Sequence, residues 1–407
     1  MADFGGSDLD GFRAEVRSWL ADNYPAELKT AKPVTDPEAV WGGRAFAGSN
    51  DPQSVWMRAM GARGWTAPTW PKAYGGGGLT PQEARVLDQE LAAGHYRAPL
   101  ASFGVWMLGP VLLEYATEAQ KKEYLPRIIM GEIRWCQGYS EPGAGSDLAS
   151  LATRCEDKTD HWLINGQKIW TSYANKADWC FCLVRTDTAK KHEGISFVLI
   201  DMASPGVETR PIQLISGESP FCETFFTDLK LPKDALVGKV NGGWEIAKRL
   251  LQYERQNISG GFGSGGSAGG TSGDLGQLAK TYQGLDAEGR VFDGELRGRI
   301  TKNKMDFQTL YLTIARTAAE ARASNGPSAA TSIIKYAAAT FAQERSELMV
   351  ETLGHQGLGW DGEGYSSGEV LAVRGWLRSK GNSIEGGTSE INVNVVAKRV
   401  LGLPDPK

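Results

Sequence analysis

Two short segments of this 407-residue chain carry residue types and spacings suited to chemistry. The first is Tyr139-Ser-Glu-Pro-Gly-Ala-Gly-Ser-Asp147. Its tight turns present hydroxyls and backbone donors, which suits the polar edge of a ring or a phosphate. The second is Ile384-Glu-Gly-Gly-Thr-Ser-Glu-Ile391, which leads into the helical run NVNVVAKRVL. Thr388 or Ser389 can cap that helix, and a helix N-terminus is a natural anion site. Each segment also has a plainer reading: an ordinary loop, and a capped helix after a glycine turn. No Gly-rich phosphate loop follows a strand, so neither a dinucleotide fingerprint nor a Walker site is visible. His95, His161, His192 and His355 read as surface or hydrogen-bonded residues rather than as ligands.

The surroundings of these segments narrow the function class. The formal charge is -4, with no basic surplus that would argue for nucleic acid and no run of like charge. No apolar stretch approaches the length of a membrane span. The acidic, Gly-rich start from Met1 to Asp10 does not read as a targeting segment. Cys136, Cys155, Cys180, Cys182 and Cys222 offer no second close pair to complete a zinc cage, so no metal site is expected. Their odd number fits a reducing cytoplasm, and buried packing is the favoured role for all five.

The elements that must position the two segments follow from periodicity. Asp8 can cap a helix whose apolar positions are Leu9, Phe12, Val16, Trp19 and Leu20. Pro81 to Ala93 has the same period, and further helices are expected at Val111 to Tyr115 and Thr117 to Met130. From about Gly131 to Gly238 the texture changes to short β-branched and aromatic runs broken by turns. Asn165-Gly166 predicts a hairpin turn there, and Pro205-Gly206 another turn. After Gly242-Gly243-Trp244 the helical period returns and persists. The expected fold is α+β and mainly α. It comprises an N-terminal helical domain (1–132), a central β-barrel-like domain (133–240) and a C-terminal four-helix bundle (241–407). The Gly-rich stretch Ser259 to Gly273 reads equally as a linker or as a packed helical stripe, since Gly261, Gly265, Gly269 and Gly273 recur every four residues.

Four blocks in order, GYSEPGAGSD, INGQKIWTSYANKADW, FFTDLKLPKDALVGKVNGGW and IEGGTSEINVNVVAKRVLGLP, make the chain resemble the acyl-CoA dehydrogenases over nearly its whole length. The likeness extends to bacterial members of the sterol side-chain catabolic type. It implies FAD-dependent removal of two hydrogens from the α and β carbons of an acyl-CoA thioester. It also implies FAD against Gln137, Tyr139 and Ser140, with further contacts from Ser146, Trp170, Ser172, Thr388 and Glu390. Ser146 would lie near the CoA arm, and Tyr253 and Arg255 are expected at the substrate. The backbone amide of Gly386 would polarise the thioester carbonyl, the logic of an oxyanion hole.

Most members carry the base directly before Gly-Thr-Ser, where this chain has Gly386. Glu385 stands one residue earlier. Another branch takes its base from a helix after the β domain, just before an Arg. Glu254 precedes Arg255 in LLQYERQN, and it is favoured over Glu385. Either carboxylate needs a pKa raised by burial to act near neutral pH. Two departures concern assembly. Gly289-Arg-Val-Phe-Asp293 replaces an Arg motif that holds the FAD of a neighbouring subunit, and Glu351-Thr-Leu-Gly-His355 replaces a Gln and a Gly. The alternatives are a homodimer or homotetramer, and an α2β2 heterotetramer with a second acyl-CoA dehydrogenase chain. An electron-transfer flavoprotein is the expected acceptor. An acyl-CoA oxidase on the same fold and a non-catalytic subunit of a heterotetramer are the competing readings.

Overall fold

A computed structural model describes residues 8–30, 35–261, 274–324 and 331–404. The proposed glycine stripe from Gly265 onward lies outside the described residues. Among the described residues the regular elements run in this order. Five α-helices come first: α1 (Leu9–Asn23), α2 (Pro52–Ala62), α3 (Pro81–Ala93), α4 (Gly109–Tyr115) and α5 (Glu118–Ile129). Eight strands follow: β1 (Trp135–Gly138), β2 (Arg154–Asp157), β3 (His161–Ser172), β4 (Trp179–Arg185), β5 (Ile195–Asp201), β6 (Val207–Ile212), β7 (Phe221–Pro232) and β8 (Leu236–Val237). Six helices close the chain: α6 (Gly243–Gly261), α7 (Leu275–Tyr282), α8 (Gly294–Ser324), α9 (Thr331–Leu353), α10 (Ser367–Ser379) and α11 (Ser389–Val395). No helix among the described residues is long and apolar enough to cross a membrane.

The start signals read from the sequence operate as expected. Asp8 caps α1 by accepting from Gly11 N at 2.9 Å. Thr80 and Thr117 open α3 and α5, each with a reciprocal capping box that satisfies two otherwise unpaired N–H groups. The chain forms two compact units, residues 1–211 with 221–253 and residues 212–220 with 254–407.

In the first unit the strands form one sheet in the order β6-β7-β3-β2-β4-β5-β8, with β1 parallel to β4. Strand β4 is buried on both faces. Phe181 and Leu183 point into a core shared with Leu112, Ile128, Trp135, Ile246 and Leu250 from α4, α5, β1 and α6. Cys180, Cys182 and Val184 point to the opposite core with Trp162, Ile164 and Phe226. All five cysteines are buried, and burial pushes the Cys155 thiol up to about 12.

The expected hairpin at Asn165-Gly166 is not there. Both residues lie inside β3, where the register with β7 shifts between Ile164 and Gly166. The turn joining β2 to β3 instead closes with Lys158 N donating to His161 O at 3.0 Å. Gly166 serves close approach, since a Cβ there would stand 2.6 Å from Thr153 Cα. Asn165 bridges to β7 by accepting from Asp228 N at 2.8 Å. A two-residue turn signal and a bulge signal use the same residue types. The Pro205-Gly206 turn falls between β5 and β6 as expected, with Gly206 at φ 92°.

One buried ion pair ties the loop after β1 to β3. The Lys168 side chain is fully buried, and its Nζ donates to Glu141 Oε1 at 2.7 Å and to Tyr139 O at 3.2 Å. Glu141 also accepts from Ala152 N at 2.6 Å and Thr153 N at 2.9 Å. Burial pushes the Glu141 pKa up. The Lys168 charge and these hydrogen bonds more than offset it, and the carboxyl ends below its ordinary value. A carboxyl depressed in the folded state contributes stability above its unfolded pKa, about 4.3. That contribution is lost as pH falls through the lower folded value. We therefore expect Lys168→Met to cost about 3–5 kcal/mol in urea denaturation at pH 7, because it strands a buried carboxylate. Its deficit should shrink as the pH is lowered below about 4. A loss below about 1 kcal/mol at pH 7 would refute the role assigned to the pair.

Candidate active site

In the first unit, the loop after β1 runs beside the bulged end of β3. Gln137 pairs with Phe181 of β4, and the buried ring of Tyr139 meets Phe181 edge-on at 6.2 Å. Ser140 O accepts from Ile169 N at 2.9 Å, which draws the loop alongside the strand that ends in Ser172. Beyond Ser140, Glu141 and Ala144 exchange backbone hydrogen bonds of 3.0 Å, and Ser146 is exposed at the tip. Arg185 holds the far side of this loop, donating to Ala149 O at 2.6 Å and Leu151 O at 3.1 Å. Asp147 pairs with Lys191 at 2.8 Å.

Trp170 is the unusual residue of this unit. It sits at the second register shift of β3, between Lys168 and Thr171, with φ 59°. A bulky residue in the left-handed region costs on the order of 1–3 kcal/mol and persists where its surroundings hold it. Its indole is 52 % exposed and meets Phe221 edge-on at 6.0 Å. Tyr173, two residues beyond the end of the bulge, also has a positive φ, 52°. The sequence singled out Trp170 and Ser172, and the strain is independent of that reading. An exposed flat indole beside the Ser140 loop and Ser172 fits a flat heteroaromatic ring with polar edges.

Sequence reasoning missed Lys168 and Glu141. A signal was present. Trp162, Ile164 and Lys168 share one face of β3 before the bulge, so a lysine occupies an inward position and requires a buried partner. Tyr253 also belongs to this unit. Its hydroxyl donates to Glu114, and Arg249 lies over its ring at 4.6 Å. Burial, with the Glu114 hydrogen bond, pushes the Tyr253 hydroxyl up to about 12.

In the second unit, Thr388 caps α11 by accepting from Ile391 N at 3.2 Å. Thr388, rather than Ser389, is therefore the cap. The carboxyl of Glu390, in the first turn of α11, is held below its ordinary value by its own backbone N–H and by Thr388. Gly386 and Gly387 have φ 62° and 91°, consecutive left-handed residues that favour glycine. Glu385 is exposed, and one of its oxygens lies 2.7 Å from Arg378 Nη2. Glu254 is half-buried on α6, and both it and Glu385 act electrostatically on Lys335 of α9. The side chain of Arg255 lies outside the described residues. Arg290 pairs with Asp286 at 2.8 Å and Glu288 at 2.6 Å, within its own turn. Among the described residues no group of three His, Cys, Asp or Glu side chains stands where it could hold a metal ion.

The acyl-CoA dehydrogenase N-terminal domain matches residues 10–132, the middle domain 136–229 and the C-terminal domain 241–401. The acyl-CoA dehydrogenase IpdE1 of Mycobacterium tuberculosis is 35 % identical over 399 residues, 98 % of each chain. FadE34 of the same organism is 37 % identical over 354 residues, covering 87 % of this chain and 47 % of that one. Among solved structures, a chain of the ChsE4-ChsE5 complex from Mycobacterium tuberculosis matches with a TM-score of 0.72 at 26 % identity. It covers 100 % of both chains. A chain of the Tcur3481-Tcur3483 steroid acyl-CoA dehydrogenase matches with a TM-score of 0.73 at 28 % identity, again over 100 % of both chains. The layout of helices, sheet and helices is thus that of a known flavoprotein oxidoreductase group, and this chain belongs to the acyl-CoA dehydrogenase family.

Proposed function

We propose that this chain carries out FAD-dependent α,β-dehydrogenation of an acyl-CoA thioester, giving the trans-2-enoyl-CoA. The strained, exposed Trp170 beside the Ser140 loop is the observation that carries the reading. Costly backbone geometry of this kind concentrates at ligand sites. When bound, FAD supplies the acceptor for the β hydride, chemistry no side chain offers. The chain's own residues do the rest. Gln137, Tyr139, Ser140, Trp170 and Ser172 bind and orient the ring, and Thr388 and Glu390 at the start of α11 are also assigned to the cofactor. Ser146 and Tyr253 are assigned to the acyl-CoA. The Gly386 amide donates to the thioester carbonyl, which makes the α proton acidic.

Glu254 is the proposed base. Glu385 competes poorly because Arg378 already engages its carboxylate and water surrounds it. Abstraction of an α proton needs a carboxylate that burial has made more basic, and Glu254 is the more enclosed of the two. The acceptor that reoxidises the cofactor is proposed to be an electron-transfer flavoprotein. The assembly is proposed to be an α2β2 heterotetramer with a second acyl-CoA dehydrogenase chain. Its support is Arg290, whose exposed guanidinium is already paired with Asp286 and Glu288 of its own turn. Size-exclusion mass with flavin content per chain, with and without a co-expressed partner, tests this. A stable homotetramer holding one flavin per chain would overturn it.

Purified protein should be yellow and bleach anaerobically when an accepted acyl-CoA is added. Glu254→Gln should slow bleaching at least about 100-fold while keeping its flavin, the scale of a lost general base. Glu385→Gln should change it less than about tenfold. Loss of bleaching in Glu385→Gln alone would move the base to Glu385. Trp170→Gly separates strain from binding. The apoprotein should gain up to about 1–3 kcal/mol in stability as the backbone relaxes. Flavin affinity, measured by fluorescence titration, should fall at least about tenfold. A destabilised apoprotein with unchanged flavin affinity would remove Trp170 from the site.

A further inference from the structure

The turn that presents Gly386 is held from the side by α9. Helix α10 ends at Ser379, whose carbonyl has no partner within its own helix. Two α9 side chains supply donors. Gln343 Nε2 donates to Ser379 O at 3.0 Å, Lys380 O at 3.3 Å and Ser383 Oγ at 3.1 Å. Two turns earlier on α9, Lys335 Nζ donates to Asn382 O. A cation suits that position, because the carbonyl end of a helix carries partial negative charge.

The stretch downstream is fixed in turn. Ile384 N and Glu385 N both donate to Gly381 O at 2.9 Å. On the far side, Asn392 Nδ2 donates to Gly387 O at 3.0 Å and Thr388 O at 2.9 Å. Gly386 therefore stands between two pinned stretches, and its left-handed conformation is the joint. Glycine is the residue most able to leave such a conformation, so the position of its amide is only as fixed as the stretches on either side.

We propose that Lys335 is a positioning residue for the Gly386 amide: its hydrogen bond to Asn382 O, beside the Gln343 bonds, fixes the turn on α9 and so fixes where the thioester carbonyl is polarised. The inference rests on the reading of Gly386 as the polarising donor. The electrostatics support it. Burial lowers the Lys335 pKa, while the charges of Glu385 and Glu254 raise it in part, so the ammonium lies within the electrostatic reach of both carboxylates considered as bases. Arg378 neutralises Glu385 at 2.7 Å, and Lys380 stands 3.9 Å from Glu347, so neither replaces Lys335 at the Asn382 carbonyl.

The test uses the full-length, FAD-loaded protein. Hydrogen exchange followed by mass spectrometry should show protection of the Gly381 to Thr388 amides falling at least about tenfold in Lys335→Met, with the β3 amides unchanged. Flavin bleaching should slow about tenfold or more at saturating acyl-CoA, with KM changed less than about threefold, since the lost contact acts in the transition state. Lys335→Arg, which keeps a cationic donor, should restore most of both. Unchanged exchange in the turn would overturn the proposal whatever happens to bleaching. Faster exchange with unimpaired bleaching would support the clamp and instead overturn the role of the Gly386 amide. If Lys335→Met fails to fold, Gln343→Leu removes the other donor and is read in the same way.

Discussion

The first unit depends on a charge placed where water cannot reach it. Lys168 is fully buried, and an unpaired ammonium there would cost several kcal/mol, a large share of a domain's stability. Glu141 removes that cost only if it stands at one place, with Oε1 2.7 Å from Nζ and also on the Thr153 amide, and its other oxygen on the Ala152 amide. The pair therefore acts less as a source of stability than as a constraint on position. It fixes the loop from Tyr139 to Thr153 against β3. Two residues along β3 from that anchor, the backbone at Trp170 enters the left-handed region. A strained residue persists only where its neighbours leave no relaxed alternative. The anchor upstream, with the β7 pairing resumed at Thr171 and Ser172 downstream, supplies that condition.

The second unit solves a related problem with neutral carbonyls and a cation near the surface. The segment from Lys380 to Gly387 makes no sheet and belongs to no long helix, so its carbonyls, and that of Ser379 at the end of α10, need outside donors. Helix α9 provides them through Lys335 and Gln343, while α7, α8, α10 and α11 all pack against this same helix. Placing the donors on the central helix gives the turn the rigidity of the bundle. In both units, then, a segment without regular structure is held by long side chains from a neighbouring rigid element. Loops that carry chemistry are commonly built this way.

Much of this was legible in the sequence, and the misses have physical causes. Helix limits followed from caps and periodicity because those signals are local, and α3 falls on Pro81–Ala93 as expected. Asn165-Gly166 misled because permissive backbone is needed both for a turn and for a bulge, and only the β7 register tells them apart. The positive φ of Trp170 was invisible, since nothing in a tryptophan announces a left-handed backbone. Lys168 was readable in principle, as a lysine on the inward face of β3. Its partner was not, because Glu141 lies in a loop with no period and the contact spans 27 residues. Lys335 sat in a helical run where a lysine reads as a solvated face, and its acceptor is a main-chain carbonyl that sequence cannot flag.

The glycine at position 386 links backbone conformation to the proposed placement of the base. With φ 62° at Gly386 and 91° at Gly387, the turn takes two successive left-handed residues. A carboxylate side chain at 386 would have to accept that conformation, at a cost of roughly 1 kcal/mol or more. A chain whose turn is built this way gains from supplying the carboxylate elsewhere and leaving position 386 to the amide alone. Glu385 does not fill the gap, since its side chain leaves the turn toward Arg378. A base on a helix has a different advantage. The backbone of α6 is already fixed by its own hydrogen bonds, so Glu254 needs no loop to hold it. On this view the double glycine and the helical glutamate are two consequences of one choice. Under the proposed assignment, the turn would serve to donate a backbone hydrogen bond, and proton transfer would fall to a residue on a helix.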